Sequence, residues 1–213
     1  MYIFAQNYGK GAAIERGMSE LNIEGDAKST RSLVLVADAD GSGDISCIDN
    51  MIGSLESLIS SSNVQSTQPT SSDLLTKAAL VVGYRQYPQS KSPLRSLLSW
   101  GFRTCVSIIF LGKDLGIRDT QCGFKLMTTS TGKRLYRKLN LKRWTHDVEV
   151  VHRARLLGIP VGECSVPWVD KDGSKLVTKS SDAVTVSLTM LIEIAKMRIL
   201  YALGVWKVSC GWS

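Results

Sequence analysis

A chain of 213 residues with 44% hydrophobic and 21% charged side chains is long enough for one globular domain, or for one domain with a membrane-associated appendage, and wholesale disorder is excluded. Its net charge of +7, from 26 basic and 19 acidic residues, suits anionic partners: nucleic acid, an anionic membrane surface or a phosphate-bearing substrate. Aromatic residues make up only 7% and are not interleaved with basic ones as base-stacking surfaces require, which argues against nucleic acid. Five scattered cysteines with no CxxC pair, and only two histidines, argue against structural zinc and read as reduced thiols.

In chain order, Gly9-Lys10-Gly11 reads as a glycine-rich turn entering a helix over 12–21. The apolar run Leu33-Val34-Leu35-Val36, within 32–37, predicts a strand buried on both faces, and it ends in the acidic turn Asp38-Ala39-Asp40-Gly41. Residues 48–59 have the pattern of an amphipathic helix, and 60–73, almost entirely small and polar, that of a flexible surface loop. A second buried strand is expected at 78–83. Strand, helix, loop, strand is the grammar of a parallel α/β sheet. Residues 93–113 form a helix-like stretch rich in Leu, Trp, Phe and Ile, whose apolar run at 104–111 falls short of the roughly 20 residues a bilayer requires. A short strand and a basic helix fit 126–139, a helix 147–157 and a strand 160–168. The long apolar helix at 182–208 is broken by Glu193, Lys196, Arg198 and Lys207; it either lies in a membrane interface or packs on the sheet or on further chain. The division expected is an α/β domain over 1–179 and a helical segment over 180–213.

Chemistry concentrates in four places. Asp38 and Asp40, at the end of a buried strand, sit where parallel sheets bind ligands, and two carboxylates there suit a hard divalent cation bridging a diphosphate. Residues 116–125 pack polar and charged groups beside glycine and an aromatic, with neither helical nor strand period. Around 143–149, Asp147 fits a helix N-cap, and His146 is either a general base or, the favoured reading, a satisfied or exposed side chain. Arg85, Lys91, Arg95 and Arg103 form a basic series that is either a solvated face or a phosphate grip.

DADG after one hydrophobic strand, GYR after the next, LRSLLSWGF, GIRDTQCGFKL, RWTHDVE and WVDKDGSKL occur in this order. Together they resemble the dolichyl-phosphate β-glucosyltransferases, inverting family-2 glycosyltransferases of the GT-A fold, from about residue 9 to 206. The resemblance implies an α/β, GT-A-like fold: a mixed, mainly parallel sheet flanked by helices, incomplete at its N-terminal side, with C-terminal interfacial helices. It implies inverting transfer of glucose from UDP-glucose to dolichyl phosphate, giving dolichyl β-D-glucosyl phosphate for N-glycan precursor assembly, at the cytosolic face of the endoplasmic reticulum membrane. By the same resemblance, Asp38 and Asp40 would place a divalent cation, Mg²⁺ or Mn²⁺, on the UDP diphosphate, with Lys10 and Gly11 helping to hold the nucleotide-sugar. Arg85, Arg95, Lys125 and Lys175 would hold the acceptor phosphate, while Asp119, Gln121 and Asp147 would serve sugar hydroxyls or acceptor positioning. The apolar stretch from Trp100 to Leu111 would receive the lipid tail at the membrane surface.

Three departures accompany the match. The family's opening membrane helix and its PxYNE-like strand end do not precede Met1, so the chain is expected to be N-terminally truncated relative to the family: a fragment, a shortened product or the result of a mispredicted start. Residue 146 is His where an aromatic is more usual, and DADG continues as Ser42-Gly43. Polyprenyl-phosphate mannosyl transfer, and a catalytically silent fragment acting as a binding protein, are the alternative readings.

Overall fold

The computed structural model describes residues 5–21, 32–61, 77–87, 101, 104–110, 117–169 and 180–208. Five helices and four strands carry labels below: α1 (Lys10–Glu20), β1 (Leu33–Val36), α2 (Ile48–Ser61), β2 (Leu80–Gln86), β3 (Lys125–Thr128), α3 (Thr129–Tyr136), α4 (His146–Leu156), β4 (Val161–Pro167) and α5 (Ser180–Ala202). The strands form one open mixed sheet in the order β1-β3-β2-β4. β2 and β4 are parallel, while β3 runs antiparallel to both β1 and β2. Three strands therefore point one way and the fourth is inserted in the opposite sense between β1 and β2. The result is the mixed α/β arrangement expected, with β3 as its reversed member.

Strand alternation divides the core in two. Val36, Leu80, Val82 and Met127 face a cluster that includes Met18, Leu135, Tyr136, Val148, Val151, Ile194 and Met197, drawn from α1, α3, α4 and α5. Val81, Leu126 and Val166 face Met51, Leu55 and Ile59 of α2. Those three α2 residues are spaced by four, the stripe an amphipathic helix buries. A sheet covered on both faces explains why β1 and β2 read as unbroken apolar runs rather than alternating ones.

Helix ends are defined by identifiable groups. Thr128 accepts from the Thr131 N–H at the start of α3. At the other end of α3 the buried Arg153 guanidinium donates to the carbonyls of Leu135, Arg137 and Lys138, groups a helix C-terminus leaves without partners of its own. α4 ends on Gly158, at φ 65, with Ile159 N–H bonded back to the Ala154 carbonyl. Its start differs from expectation. Thr145 precedes the helix and Asp147 is its second residue, inside the first turn rather than capping it. The Thr145 hydroxyl donates instead to Glu193 of α5 at 2.5 Å.

α5 packs through Ile194, Met197 and Tyr201, and leaves Leu188, Ile192 and Ile199 exposed. Of the two placements left open for this helix, packing on the domain is therefore the one seen for its inner face. Among the described residues no helix is long and apolar enough to cross a membrane. Residues 104–109 are helical, and Phe110 packs its ring 5.4 Å from that of His152. The loop expected over 60–73 falls outside the described residues from 62 onward.

Candidate functional site

The strand directions bring the carboxyl ends of β1, β2 and β4 and the start of β3 to one edge of the sheet. That is the edge where open α/β sheets take ligands. Three charge pairs converge there, from α1, the turn after β1, β2, the loop before β3, β3 and α4.

The first joins α1 to the acidic turn: Lys10 Nζ lies 2.6 Å from Asp38 Oδ1, with both side chains partly exposed. Gly9, at φ 98, allows the chain to enter α1 here, and a β-carbon on it would strike the Lys142 carbonyl. Gly11 lies against the His146 ring, where a β-carbon would not fit. Gly123 packs so closely on the Asp38 carboxylate that a β-carbon there would overlap it. Asp40 is exposed, and its Oδ1 accepts from the Ser42 N–H at 2.9 Å.

The second pair is a fork. Arg85 Nε and Nη2 donate to the two oxygens of Asp119 at 2.6 and 3.0 Å. The guanidinium also lies 5.7 Å from the Trp168 ring, which meets Phe124 edge-on. Burial pushes the Asp119 carboxyl up, but Arg85 outweighs it and holds the group below the usual carboxylate range.

The third pair is buried. Lys125 Nζ, with none of its surface exposed, donates to the Cys122 carbonyl at 2.6 Å and to Asp147 Oδ1 at 2.5 Å. Burial raises the Asp147 carboxyl, yet Lys125, His146 and Lys10 more than offset that and keep it below its ordinary value. A carboxylate held ionised in this way accepts hydrogen bonds well and takes protons poorly, so it suits orientation better than general base catalysis. His146 Nδ1 bonds the Arg143 carbonyl at 2.7 Å, while its buried Nε2 has no hydrogen-bond partner. The expectation of a satisfied or exposed His146 is thus corrected: the ring is buried and half satisfied. The side-chain nitrogen of Gln121 is also buried without a partner. Burial lifts the neighbouring Cys122 thiol to about 11, leaving it protonated and inert near neutrality.

Of the residues singled out from the sequence, Lys10, Gly11, Asp38, Asp40, Arg85, Asp119, Gln121, Lys125 and Asp147 all lie around this edge. Arg95 and Lys175 lie outside the described residues. Lys125 faces inward to Asp147 rather than toward solvent. Sequence reasoning missed Gly123, whose signal was a glycine between polar loop and strand, and it gave His146 too little weight.

Asp38 and Asp40 offer hard oxygen donors on one turn, which fits a magnesium or manganese ion when phosphate oxygens and water complete its shell. Among the described residues no group of three or more His, Cys, Asp or Glu side chains could hold a metal alone.

No protein-family model matches the chain, and no solved structure matches it. Curated proteins named dolichyl-phosphate beta-glucosyltransferase do, among them the following three. The Dictyostelium discoideum protein is 33% identical over 210 residues, covering 95% of this chain and 54% of that protein. The Homo sapiens protein is 32% identical over 208 residues, covering 95% and 55%. The Saccharomyces cerevisiae protein is 30% identical over 210 residues, covering 96% and 56%. The chain spans about half the length of these relatives. By sequence it is a homologue of the dolichyl-phosphate beta-glucosyltransferases, aligned over nearly all of its own length.

Proposed function

We propose that this chain serves glycosyl transfer, moving glucose from UDP-glucose to dolichyl phosphate with inversion at the anomeric carbon. The observation that carries the reading is the convergence of three opposite-charge pairs on the ligand-binding edge of the sheet, in a chain whose relatives bear that enzyme's name. The reaction brings together two phosphate-bearing molecules that repel one another, and fixed, preorganised charge is what such an encounter needs.

In this reading Asp38 and Asp40 would hold Mg²⁺ or Mn²⁺, which would supply charge neutralisation to a diphosphate leaving group. Lys10, already on Asp38, stands beside the same phosphates, and Gly11 lets α1 approach. A phosphate oxygen of dolichyl phosphate attacks the anomeric carbon as the bond to UDP breaks, so UDP leaves and α-glucosyl becomes β-glucosyl phosphoryl lipid. The acceptor's second pKa is about 6, so it arrives ionised and needs no strong base. Consistent with this, both buried-side carboxylates, Asp119 and Asp147, are held ionised by cations. They and Gln121 serve the sugar hydroxyls or the acceptor. Arg85 presents a cation at the mouth, while Lys125 acts through Asp147. The exposed apolar residues of α5 and Ile108 suit a membrane surface, in keeping with the cytosolic face of the endoplasmic reticulum and a product used in N-glycan assembly.

The test is direct. Offered separately with dolichyl phosphate and a divalent ion, UDP-glucose should label the lipid and GDP-mannose should not. Asp38→Asn should lower transfer about 100-fold, a loss of roughly 3 kcal/mol in transition-state stabilisation. Because Asp38 is partly exposed, thermal stability should barely move. Transfer from the mannose donor alone would overturn the sugar assignment, and no heat on titrating millimolar UDP with Mn²⁺ would favour a silent binding protein.

A further inference from the structure

Both ring nitrogens of His146 face groups that only accept. Nδ1 lies 2.7 Å from the Arg143 carbonyl oxygen, and Nε2 lies 3.3 Å from Asp147 Oδ1. A neutral imidazole carries one N–H, so it always turns a lone pair toward one of the two. The shorter contact assigns that proton to Nδ1 and leaves the Nε2 lone pair against a carboxylate. The ring has no surface exposed to bulk solvent. Only the imidazolium satisfies both neighbours.

Charged groups around the ring pull in opposite directions. Asp147 on α4 favours the proton, while Lys125 on β3 and Lys10 on α1 oppose it. The Tyr136 ring of α3 packs 6.4 Å away, and the 143 loop contributes its carbonyl. Burial, the largest influence, keeps the ring neutral at pH 7 and moves its titration into the acid range. The same Asp147 oxygen that Nε2 faces is the one bonded to Lys125.

We propose that His146 is a positioning residue whose protonation competes with Lys125 for Asp147, so that the sugar and acceptor side of the site changes shape with pH. This rests on the reading of the site given under the proposed function, and its test separates the two.

The first readout needs no catalysis. A ¹⁵N NMR titration of the imidazole in the whole chain follows its midpoint in three proteins. Asp147→Asn removes the group that favours the proton and should lower the midpoint. Lys125→Met removes an opposing cation and should raise it. Each shift should reach about half a unit, roughly a threefold change in proton affinity. If one variant fails to fold, the other still gives a signed answer, and a midpoint that stays still in the folded variants overturns the proposal. The second readout is the pH profile of kcat/KM for the sugar donor. It should fall about three- to tenfold as pH drops through the His146 midpoint. In His146→Phe, or in His146→Gln should the first not fold, that acid limb should vanish while the alkaline plateau remains. An acid limb that persists in these variants overturns the proposal. Absence of transfer at every pH counts against the proposed function alone, and the NMR shifts then decide for or against His146.

Discussion

Two carboxylates stand two residues apart in the first turn of α4, both buried, and they have opposite fates. Glu149 is saturated: it accepts from the Asn140 and Leu141 backbone N–H groups, the Asn140 side chain, Arg153 and the Tyr201 hydroxyl. Asp147 has one strong partner, Lys125, and stands beside a histidine nitrogen with no hydrogen bond. Residues at that spacing lie on different sides of a helix, so one carboxylate ties α4 to α3 and α5 while the other looks to the sheet edge. The comparison teaches how to tell a structural buried charge from a site charge by its remaining hydrogen-bonding capacity. Where every lone pair is matched, the group holds the fold together; where partners are short, a ligand or a proton has something to gain.

The comparison breaks most visibly at Arg153. Arg153→Leu strands the Glu149 charge and three carbonyls at the end of α3, and should destabilise the protein by about 3–5 kcal/mol in urea unfolding. A loss below about 1 kcal/mol would show that the Glu149 network is not structural.

A second buried imidazole sharpens the contrast. His152 sits between Phe110 and Tyr201, and burial, with Arg198 adding to it and Glu149 opposing, brings its pKa down to about 4. In the unfolded chain the group titrates near its ordinary value of 6.5. The native state therefore binds fewer protons, and stability should fall as pH drops from about 6.5 toward 4, by up to about 3 kcal/mol. His152→Phe should flatten that part of the profile, and an unchanged slope would place the proton uptake elsewhere.

The smallest expected effect concerns the hinge between the two regions. Thr145→Val removes the hydroxyl that reaches Glu193 on α5, immediately before His146 and Asp147. A charge-assisted hydrogen bond of this kind contributes about 1–2 kcal/mol. Thermal melting should show that loss, and a neutral result would mean α5 is held by Tyr201 and its apolar side alone.

These contrasts also mark what the sequence made legible. β1 and β2 were readable because a strand covered on both faces needs only apolar residues, and LVLV and LVV supply them. Asp38 and Asp40 were readable because an acidic turn after such a run has one natural place in an α/β sheet. The reversal of β3 was not, since four residues fit either direction and the choice is made by pairing on both sides. Nor were the charge partners. Arg85 finds Asp119 34 residues away, and Lys125 finds Asp147 22 away, distances at which local pattern carries no signal. Full burial of Lys125 and Arg153 runs against the usual surface preference of such side chains, so only the assembled fold could show it.

Gly123 has one more consequence. It makes no bond to Asp38, yet the room it leaves is where that aspartate rests. A single added methyl at 123 would act as a wedge, shifting the acidic turn while leaving every charge in place. The position is a steric dial on Asp38, by which reach can be varied separately from electrostatics.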